Sequence, residues 1–421
     1  MRVLLCSNFY YRRGGDCTYL FALQALLERH GHETAVFAMR HPQNRPCPQE
    51  SYFVDFLDYA ELNRKRNPMN AVQVLGRSIW SRQARRNIAR LIADWKPDVA
   101  HLQNIHAYLT PSILKPLQRA GIPLVWSLHD FKLLCPESHF LSGGRVCEEC
   151  RGGRFWHCVR KRCKKNSWAA SGVAALEAYV HRWLGVARRA DRYLAPSEFV
   201  RRKFVEFGFP PERVTVLPHF LPEVPPPRNG SGAHGLYAGT LLPFKGVGTL
   251  LKALALAPPH PFHILGAGEE LDGYRRQAAA LGLQHVEFRG FLTGAALEAE
   301  FNAAAYAVVP SECYETFSYA AQEPLARGVP VIAADLGALP ERVRAGETGG
   351  LFPPGAAPAL AEQIRRLWSD PGVRDRLGAR ARELALAAGD AAWYYERLMQ
   401  VYQPLMVASA AHPGRPSAAE I

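Results

Sequence analysis

Short, nearly unbroken apolar runs alternate along the chain with longer stretches in which apolar positions recur every three or four residues. The opening "RVLLCSNFY" reads as a strand and "RRGG" as a glycine turn. "TYLFALQALLERHGHETAVFA" follows as an amphipathic helix that runs into a second strand, which completes a βαβ beginning. "KPDVAHLQN", "IPLVWSLHD" and "ADRYLAPS" continue as strands between helical stretches. "FLPEVPPPRNGSGAHG", rich in Pro, Gly and Ser, then reads as a linker. Beyond it the pattern restarts with strands in "GLYAGT", "FHILGAGEE", "HVEFRGF", "YAVVPS" and "PVIAAD", each trailed by helical sequence. The chain shows no repeat at solenoid periods.

The expected architecture is α/β, with two doubly wound Rossmann-like domains facing across a cleft. Residues 1–222 form the first domain and include a Cys-rich insertion at 135–166; residues 223–390 form the second. Residues 391–408, "AAWYYERLMQVYQPLM" and its continuation, form a helix expected to cross back to the first domain, and 409–421 a disordered tail. A chain of 421 residues with 48% hydrophobic residues has enough apolar material for two cores. No apolar run approaches the ~20 residues of a membrane span, and the N-terminus enters a strand directly, so the expected location is cytoplasmic.

The charge is uneven. Residues 1–222 hold 34 Lys and Arg against 18 Asp and Glu, whereas the remainder holds 17 against 20. The first half carries the whole excess, a field suited to nucleic acid, anionic membrane or a phosphorylated substrate.

Within "PSECYETFSYAAQEPLARGVPVIAADLGALPE", Glu315 and Glu323 stand eight residues apart. On one helix they would be ~12 Å apart along the axis and ~80° around it. That is a poor dyad for glycoside cleavage, which needs carboxyls ~5 to 9.5 Å apart. Starting the helix near Phe317 instead leaves Glu315 in the preceding loop and Glu323 deeper along the helix. The N–H groups of Phe317, Ser318 and Tyr319 then form an anion site between them. Carboxylate, anion site, carboxylate suits a sugar, its diphosphate and a ribose.

This segment resembles the E-x7-E region of retaining GT-B glycosyltransferases of family 4. "RRGG", "RHGHET", "SLHD", "APSEFVRRKF", "VLPHF", "YAGTLLPFKGVGTLLKAL", "HILGAGEE" and "VEFRGFL" follow in the family's order over nearly the whole chain. The resemblance implies that Glu315 holds donor-sugar hydroxyls, with Thr316 beside it, that Glu323 holds the ribose, and that Lys245 neutralises the diphosphate. It also implies that the turn at Gly14 and Gly15 lets backbone approach the phosphate or acceptor, that His129 touches the sugar, and that Arg289, Gly290 and Phe291 face the base. Two departures stand out: Thr240 occupies a position where the family usually has Arg, and Pro324 follows Glu323 directly. A UDP-sugar is the favoured donor. A lipid-linked saccharide in polysaccharide or cell-envelope assembly is the favoured acceptor, with a soluble or phosphorylated small acceptor as the alternative.

Two further features bear on partners. Around "ARRNIARLIADW", Ile79, Ile88, Leu91, Ile92 and Trp95 recur at helical spacing with Arg82, Arg85, Arg86 and Arg90 between them. Such a basic amphipathic helix suits the inner face of an anionic membrane, and packing on the domain's own sheet explains its stripe equally well. "CEECRGGRFWHCVRKRC" spaces Cys147, Cys150, Cys158 and Cys163 as C-x2-C-x7-C-x4-C, a ligand pattern for structural zinc. The sequence is also similar to a subset of family 4 enzymes with a cysteine-bearing loop at this point. No cofactor is expected for the chemistry, and the chain has no Asp-x-Asp metal motif. A zinc protein that binds nucleic acid is the alternative of another class; it leaves the acidic second half and its E-x7-E without a role, so nucleic acid is not an expected partner.

Overall fold

The structure is a computed structural model that describes residues 1–56, 76–77, 79–228, 230 and 232–410; most of the tail expected to be disordered lies outside these. The chain divides into two compact units. Residues 1–140, 148–222 and the segment from Ala391 form the first, and residues 141–147 and 223–390 form the second.

The first unit is built on a six-stranded parallel sheet in the order β2-β1-β3-β4-β7-β8. Its strands are β1 (Arg2–Cys6), β2 (Glu33–Phe37), β3 (Val99–Leu102), β4 (Leu124–Ser127), β7 (Arg192–Ala195) and β8 (Val214–Val216). The first helix, α1 (Gly15–Arg29), buries Leu20, Leu23 and Leu27. The next, α2 (Arg82–Trp95), is capped by Ser81 Oγ, which accepts from the Ala84 N–H at 3.1 Å. Its Ala84, Asn87, Ile88, Leu91 and Ile92 are all buried. Of the two readings the stripe allowed, packing within its own domain holds for Ile88, Leu91 and Ile92, while Ile79 and Trp95 are only partly buried. A short helix, α3 (Leu114–Arg119), precedes β4; a two-stranded hairpin of β5 (Leu141–Ser142) and β6 (Arg145–Val146), which falls with the second unit, comes before the cysteine-bearing loop in the chain.

That loop carries α4 (Trp156–Arg160) and leads into α5 (Trp168–Trp183), which is followed by α6 (Glu198–Glu206) between β7 and β8. Helix α5 is amphipathic in the reverse sense to a surface helix. Its buried face holds Ser171, Ala174, Ala175, Glu177 and His181, while Trp168, Val173, Leu176, Tyr179 and Trp183 are exposed, Trp183 at 85%. The buried polar groups are satisfied: Lys132 Nζ lies 2.8 Å from Glu177 Oε2, and His181 Nε2 lies 3.1 Å from the Ile79 carbonyl.

The second unit repeats the plan with the order β11-β10-β9-β12-β13-β14. In chain order it contains β9 (His234–Ala238), α7 (Val247–Leu256), β10 (Phe262–Leu265), α8 (Leu271–Ala280), β11 (Val286–Gly290) and α9 (Gly294–Ala303). It continues with β12 (Ala304–Val309), α10 (Tyr319–Ala326), β13 (Val331–Ala334), α11 (Leu339–Arg342), β14 (Gly349–Phe352), α12 (Ala357–Ser369) and α13 (Pro371–Ala388). The strand pattern did not reveal β14, whose two leading glycines argue against a strand. A Cβ at Gly349 would stand 1.8 Å from the Val331 carbonyl oxygen, so glycine is what permits this pairing.

The final helix, α14 (Ala391–Ala410), belongs to the first unit. Tyr394 Oη bonds to Tyr19 Oη on α1, and Tyr402 Oη bonds to His101 Nδ1 on β3. Ser127 Oγ on β4 links these two pairs, lying 3.3 Å from Tyr19 Oη and 2.7 Å from His101 Nε2. Burial, aided by His129, pushes the His101 pKa down to about 3, so this buried network is uncharged.

Candidate functional site

A doubly wound sheet opens a crevice where its strand order reverses, at the carboxyl ends of the two strands that flank the reversal. In the second unit those strands are β9 and β12, and the loops leaving them carry Lys245 and Glu315. Pro243–Lys245 forms one 3-10 turn. Gly246 follows at φ 74°, and a Cβ there would stand 1.8 Å from the Pro310 carbonyl oxygen. Only glycine lets the start of α7 lie against the end of β12 in this way.

With the two loops pressed together, Lys245 Nζ reaches Glu315 Oε1 at 2.7 Å, and Ser311 Oγ donates to the same oxygen at 2.6 Å. The Ala338 N–H donates to the Glu315 carbonyl at 3.0 Å and fixes the backbone. Burial, the largest single effect, opposes the charge on Lys245, but the charge and hydrogen bond of Glu315 together with Cys313 raise the lysine pKa, so the ammonium persists. Nearby, the Thr249 hydroxyl donates to Glu312 at 2.6 Å.

Helix α10 begins at Tyr319, two residues later than expected. Phe317 is buried ahead of it, and Ser318 at its cap adopts left-handed backbone with φ 74°. For a residue other than glycine this costs on the order of 1 kcal/mol, a strain of the kind that gathers at functional sites. The Ser318 carbonyl accepts the first helical bonds, from Ala321 at 3.2 Å and Gln322 at 3.1 Å. The N–H groups at the helix start are therefore those from Tyr319 onward, and not the expected Phe317–Tyr319 set.

Among the described residues no ion pair engages the Glu323 carboxylate. Burial raises its pKa; Arg327 works against that shift and Glu298 with it. Pro324 lies inside α10, which ends at Ala326. The exit is held by Arg327, whose guanidinium meets Glu298 at 3.1 and 2.5 Å and the Glu323 carbonyl at 2.9 Å.

Thr240 is exposed, and its carbonyl accepts from the Tyr237 hydroxyl at 2.8 Å. Sequence reading missed a cation near the α10 start. Arg342, at the end of α11, lies with its guanidinium 5.0 Å from the centre of the Phe317 ring, and its buried Nε has no hydrogen-bond partner among the described residues. No motif spacing ties Arg342 to Phe317, so only the fold reveals it. At the end of β11, Arg289 is turned toward acids, 2.9 Å from Glu287 and 3.2 Å from Glu300. Gly290 closes that strand and Phe291 is 66% exposed.

In the first unit the strand order reverses between β1 and β3. Gly15 begins α1 after β1, and Asn104 Nδ2 donates to Asp16 Oδ2 at 2.9 Å, which joins the two loops. His129 follows β4. Its Nε2 bonds to Gln103 Oε1, and its ring stands 5.1 Å from both Tyr19 and His219. Burial pushes its pKa down to about 4, with Asp16 opposing, so the imidazole is neutral at physiological pH.

Cys150, Phe155, Cys158 and Ala175 form one buried cluster against which Cys163 packs. Cys147 follows β6 and is partly buried. Two His–Glu groups also bring ligand atoms within 4.8 Å of one another: His106, Glu177 and His181, and His234, His263 and Glu300. A cation already pairs with the glutamate of each, Lys132 at 2.8 Å and Arg289 at 3.2 Å, which neutralises the charge a metal would use.

Residues 13–222 match the family model "Glycosyltransferase Family 4", and residues 227–384 match "Glycosyl transferases group 1". The chain is 32% identical to a D-inositol 3-phosphate glycosyltransferase of Thermomonospora curvata, over 63% of this chain and 69% of that protein. It is 26% identical to a phosphatidyl-myo-inositol mannosyltransferase of Mycolicibacterium smegmatis, over 91% of this chain and 89% of that protein. Two other relatives are matched over only 19% and 38% of their length. In fold the chain is similar to HepE of Anabaena, whose structure holds UDP and glucose, with a TM-score of 0.68, 18% identity, and coverage of 96% of this chain and 100% of that one. Charged loops at the switch point of a GT-B-type sheet and a matching relative over most of its length lead to one assignment: the chain belongs to glycosyltransferase family 4.

Proposed function

We propose that the chain is a retaining glycosyltransferase that moves a hexose-type sugar from a UDP-sugar, bound by the second unit, to a lipid-linked saccharide bound by the first. The observation that carries this reading is the Lys245–Glu315 pair at the β9/β12 switch point, 2.7 Å apart. In the reaction the sugar–phosphate bond breaks and its electron pair goes to the diphosphate oxygen. Lys245 and the first-turn N–H groups of α10 stabilise that oxygen as its charge grows. Arg342 supplies the second cation that Thr240 does not. Glu315 accepts from sugar hydroxyls, and Glu323 from ribose hydroxyls. The acceptor oxygen attacks the face the phosphate leaves, and the departing phosphate oxygen takes its proton, so the anomeric configuration is retained without a protein nucleophile. His129, neutral, hydrogen-bonds the sugar. The UDP and glucose held by HepE support the choice of donor.

The lipid character of the acceptor is supported by the name of the Mycolicibacterium relative and by the outward face of α5. Tryptophans are favoured where one end of a side chain meets lipid and the other water. Trp156 on α4 and Trp168 and Trp183 on α5 are all exposed, with the Arg160 guanidinium 5.9 Å from the Trp156 ring and that of Arg162 5.9 Å from Trp168. Apolar rings ringed by cations fit an anionic bilayer surface.

The test is hydrolysis across UDP-, GDP-, ADP- and TDP-sugars, with UDP-sugars expected to be fastest. Glu315→Ala should lower turnover by ~100-fold or more while UDP still binds, because only the reacting sugar loses contacts. Lys245→Ala should weaken UDP far more than uridine, since the ammonium meets only phosphate. Mild, equal losses in both variants would overturn the assignment.

A further inference from the structure

One cavity of the first unit contains none of the residues given to the transfer reaction. We propose that this groove, between α14 and the outer strands β7 and β8, binds an organic phosphate: a phosphate monoester carried on an apolar ring or chain. This inference is independent of the reading of the reaction.

The groove measures about 370 Å³, within the range of small-molecule sites. Its origin lies in the way α14 is docked. Tyr394, Leu398 and Tyr402 recur at every fourth position and are buried, which commits that face of the helix to the first unit's core. Trp393, Arg397, Gln400, Val401, Pro404 and Leu405 form the neighbouring stripe and line one wall of the groove. Arg192 on β7, Thr215 and Val216 on β8, and Leu217 just beyond it line the other. Because β8 is the edge strand of its sheet, no neighbouring strand among the described residues closes the groove.

The lining divides into apolar surface and cations. Val216, Leu217, Val401, Pro404 and Leu405 supply the first, and Trp393, 40% exposed, adds an indole where the α14 stripe begins. The cations are Arg192 and Arg397. Among the described residues neither has a carboxylate within ion-pair reach: Arg192 donates to the Asp191 carbonyl at 2.9 Å, and Arg397 to the Gln400 side-chain oxygen at 3.0 Å. Each of these bonds uses one of the five N–H donors of a guanidinium and none of its charge. The Asp191 carboxylate, next in sequence to Arg192, accepts from the Leu124 N–H at 2.8 Å instead. Two uncompensated positive charges select a dianion over a monoanion, and guanidinium forks match phosphate oxygens, which decides for a phosphate monoester over a carboxylate. Pro404 adds an acceptor. Having no N–H, it leaves the carbonyl of Gln400, on the same stripe, without its helical donor, a place that a hydroxyl on the ligand can take. Since α14 brings Tyr394 and Tyr402 to the first unit's buried network, a ligand that ties it to β7 and β8 stabilises that unit.

The test uses the full chain with 1-naphthyl phosphate as the probe, and 1-naphthoate, 1-naphthol and inorganic phosphate for comparison. In a chain labelled with 5-fluorotryptophan, the Trp393 fluorine resonance, identified by its loss in Trp393→Phe, should shift on titration with the probe, and the first unit's thermal transition should rise. The comparison ligands should bind at least ~10-fold more weakly, since each lacks the dianion or the apolar body. Arg192→Ala and Arg397→Ala should each weaken the probe by ~10-fold or more. Lys245→Ala, which impairs the donor site, should bind it as the unsubstituted chain does. The comparison ligands need no variant, so they answer the question even where a substitution impairs folding. A Trp393 resonance that stays fixed, any comparison ligand that binds as tightly as the probe, full affinity in either arginine variant, or affinity lost in Lys245→Ala would each overturn the proposal.

Discussion

Glu323 is a carboxyl without an ion-pair partner among the described residues, in a place that raises its pKa. A group that holds its proton more tightly folded than unfolded contributes its full stability below the unfolded value of ~4.3 and loses it as pH rises through the folded value. Glu323→Gln should therefore flatten the fall in melting temperature above that value, and weaken ribonucleotide binding by ~10-fold, since an amide is a poorer acceptor for hydroxyls than a carboxylate. Melting curves across pH, set beside calorimetric titration with UDP, measure both effects. An unchanged pH profile with unchanged affinity would remove Glu323 from the nucleotide site. The two glutamates were legible by their spacing across a helix start, and Lys245 through the family resemblance alone. Ser318 and Arg342 were not: the left-handed backbone of one and the ring contact of the other arise from packing around Phe317, a tertiary feature without a local signature.

At the scale of elements, α2 settles into a core its sequence left open, and α5 turns its apolar residues outward. An amphipathic helix shows the same periodicity whether its stripe meets a core or a bilayer, and α2 turns its Ile88, Leu91 and Ile92 inward. In α5 the small and polar face goes inside, because Glu177 and His181 find Lys132 and the Ile79 carbonyl, partners far away in the chain that no window of sequence contains. Replacing Trp168 and Trp183 together by Ser should reduce binding to vesicles with anionic phospholipid by ~10-fold or more and leave hydrolysis of the free donor unchanged. Co-sedimentation with vesicles is the measurement. Retained binding in this variant, or a wild-type chain that associates through this face into dimers, would count against a lipid surface. Most strands were readable from their Val, Ile and Leu runs, whereas β14 hid behind glycines that its close approach to Val331 requires.

For the molecule as a whole, the excess positive charge of residues 1–222 predicts that vesicle association weakens as salt rises, since surface cations near an anionic leaflet contribute ~1 kcal/mol each and are screened over about 8 Å at physiological ionic strength. Binding that ignores salt would place the whole contribution in the tryptophans. Connectivity has its own consequence. Tyr394 and Tyr402 on α14 complete hydrogen bonds to Tyr19 and His101, so the first unit needs residues from both sides of the second. A chain ending at Asp390 should lose the first unit's thermal transition, while residues 223–390 keep their own. On a translating ribosome the order of completion is then reversed relative to the order of synthesis. The second unit can close as soon as its last helix emerges, whereas the first, begun earliest, waits with Tyr19 and His101 short of their partners until α14 is released.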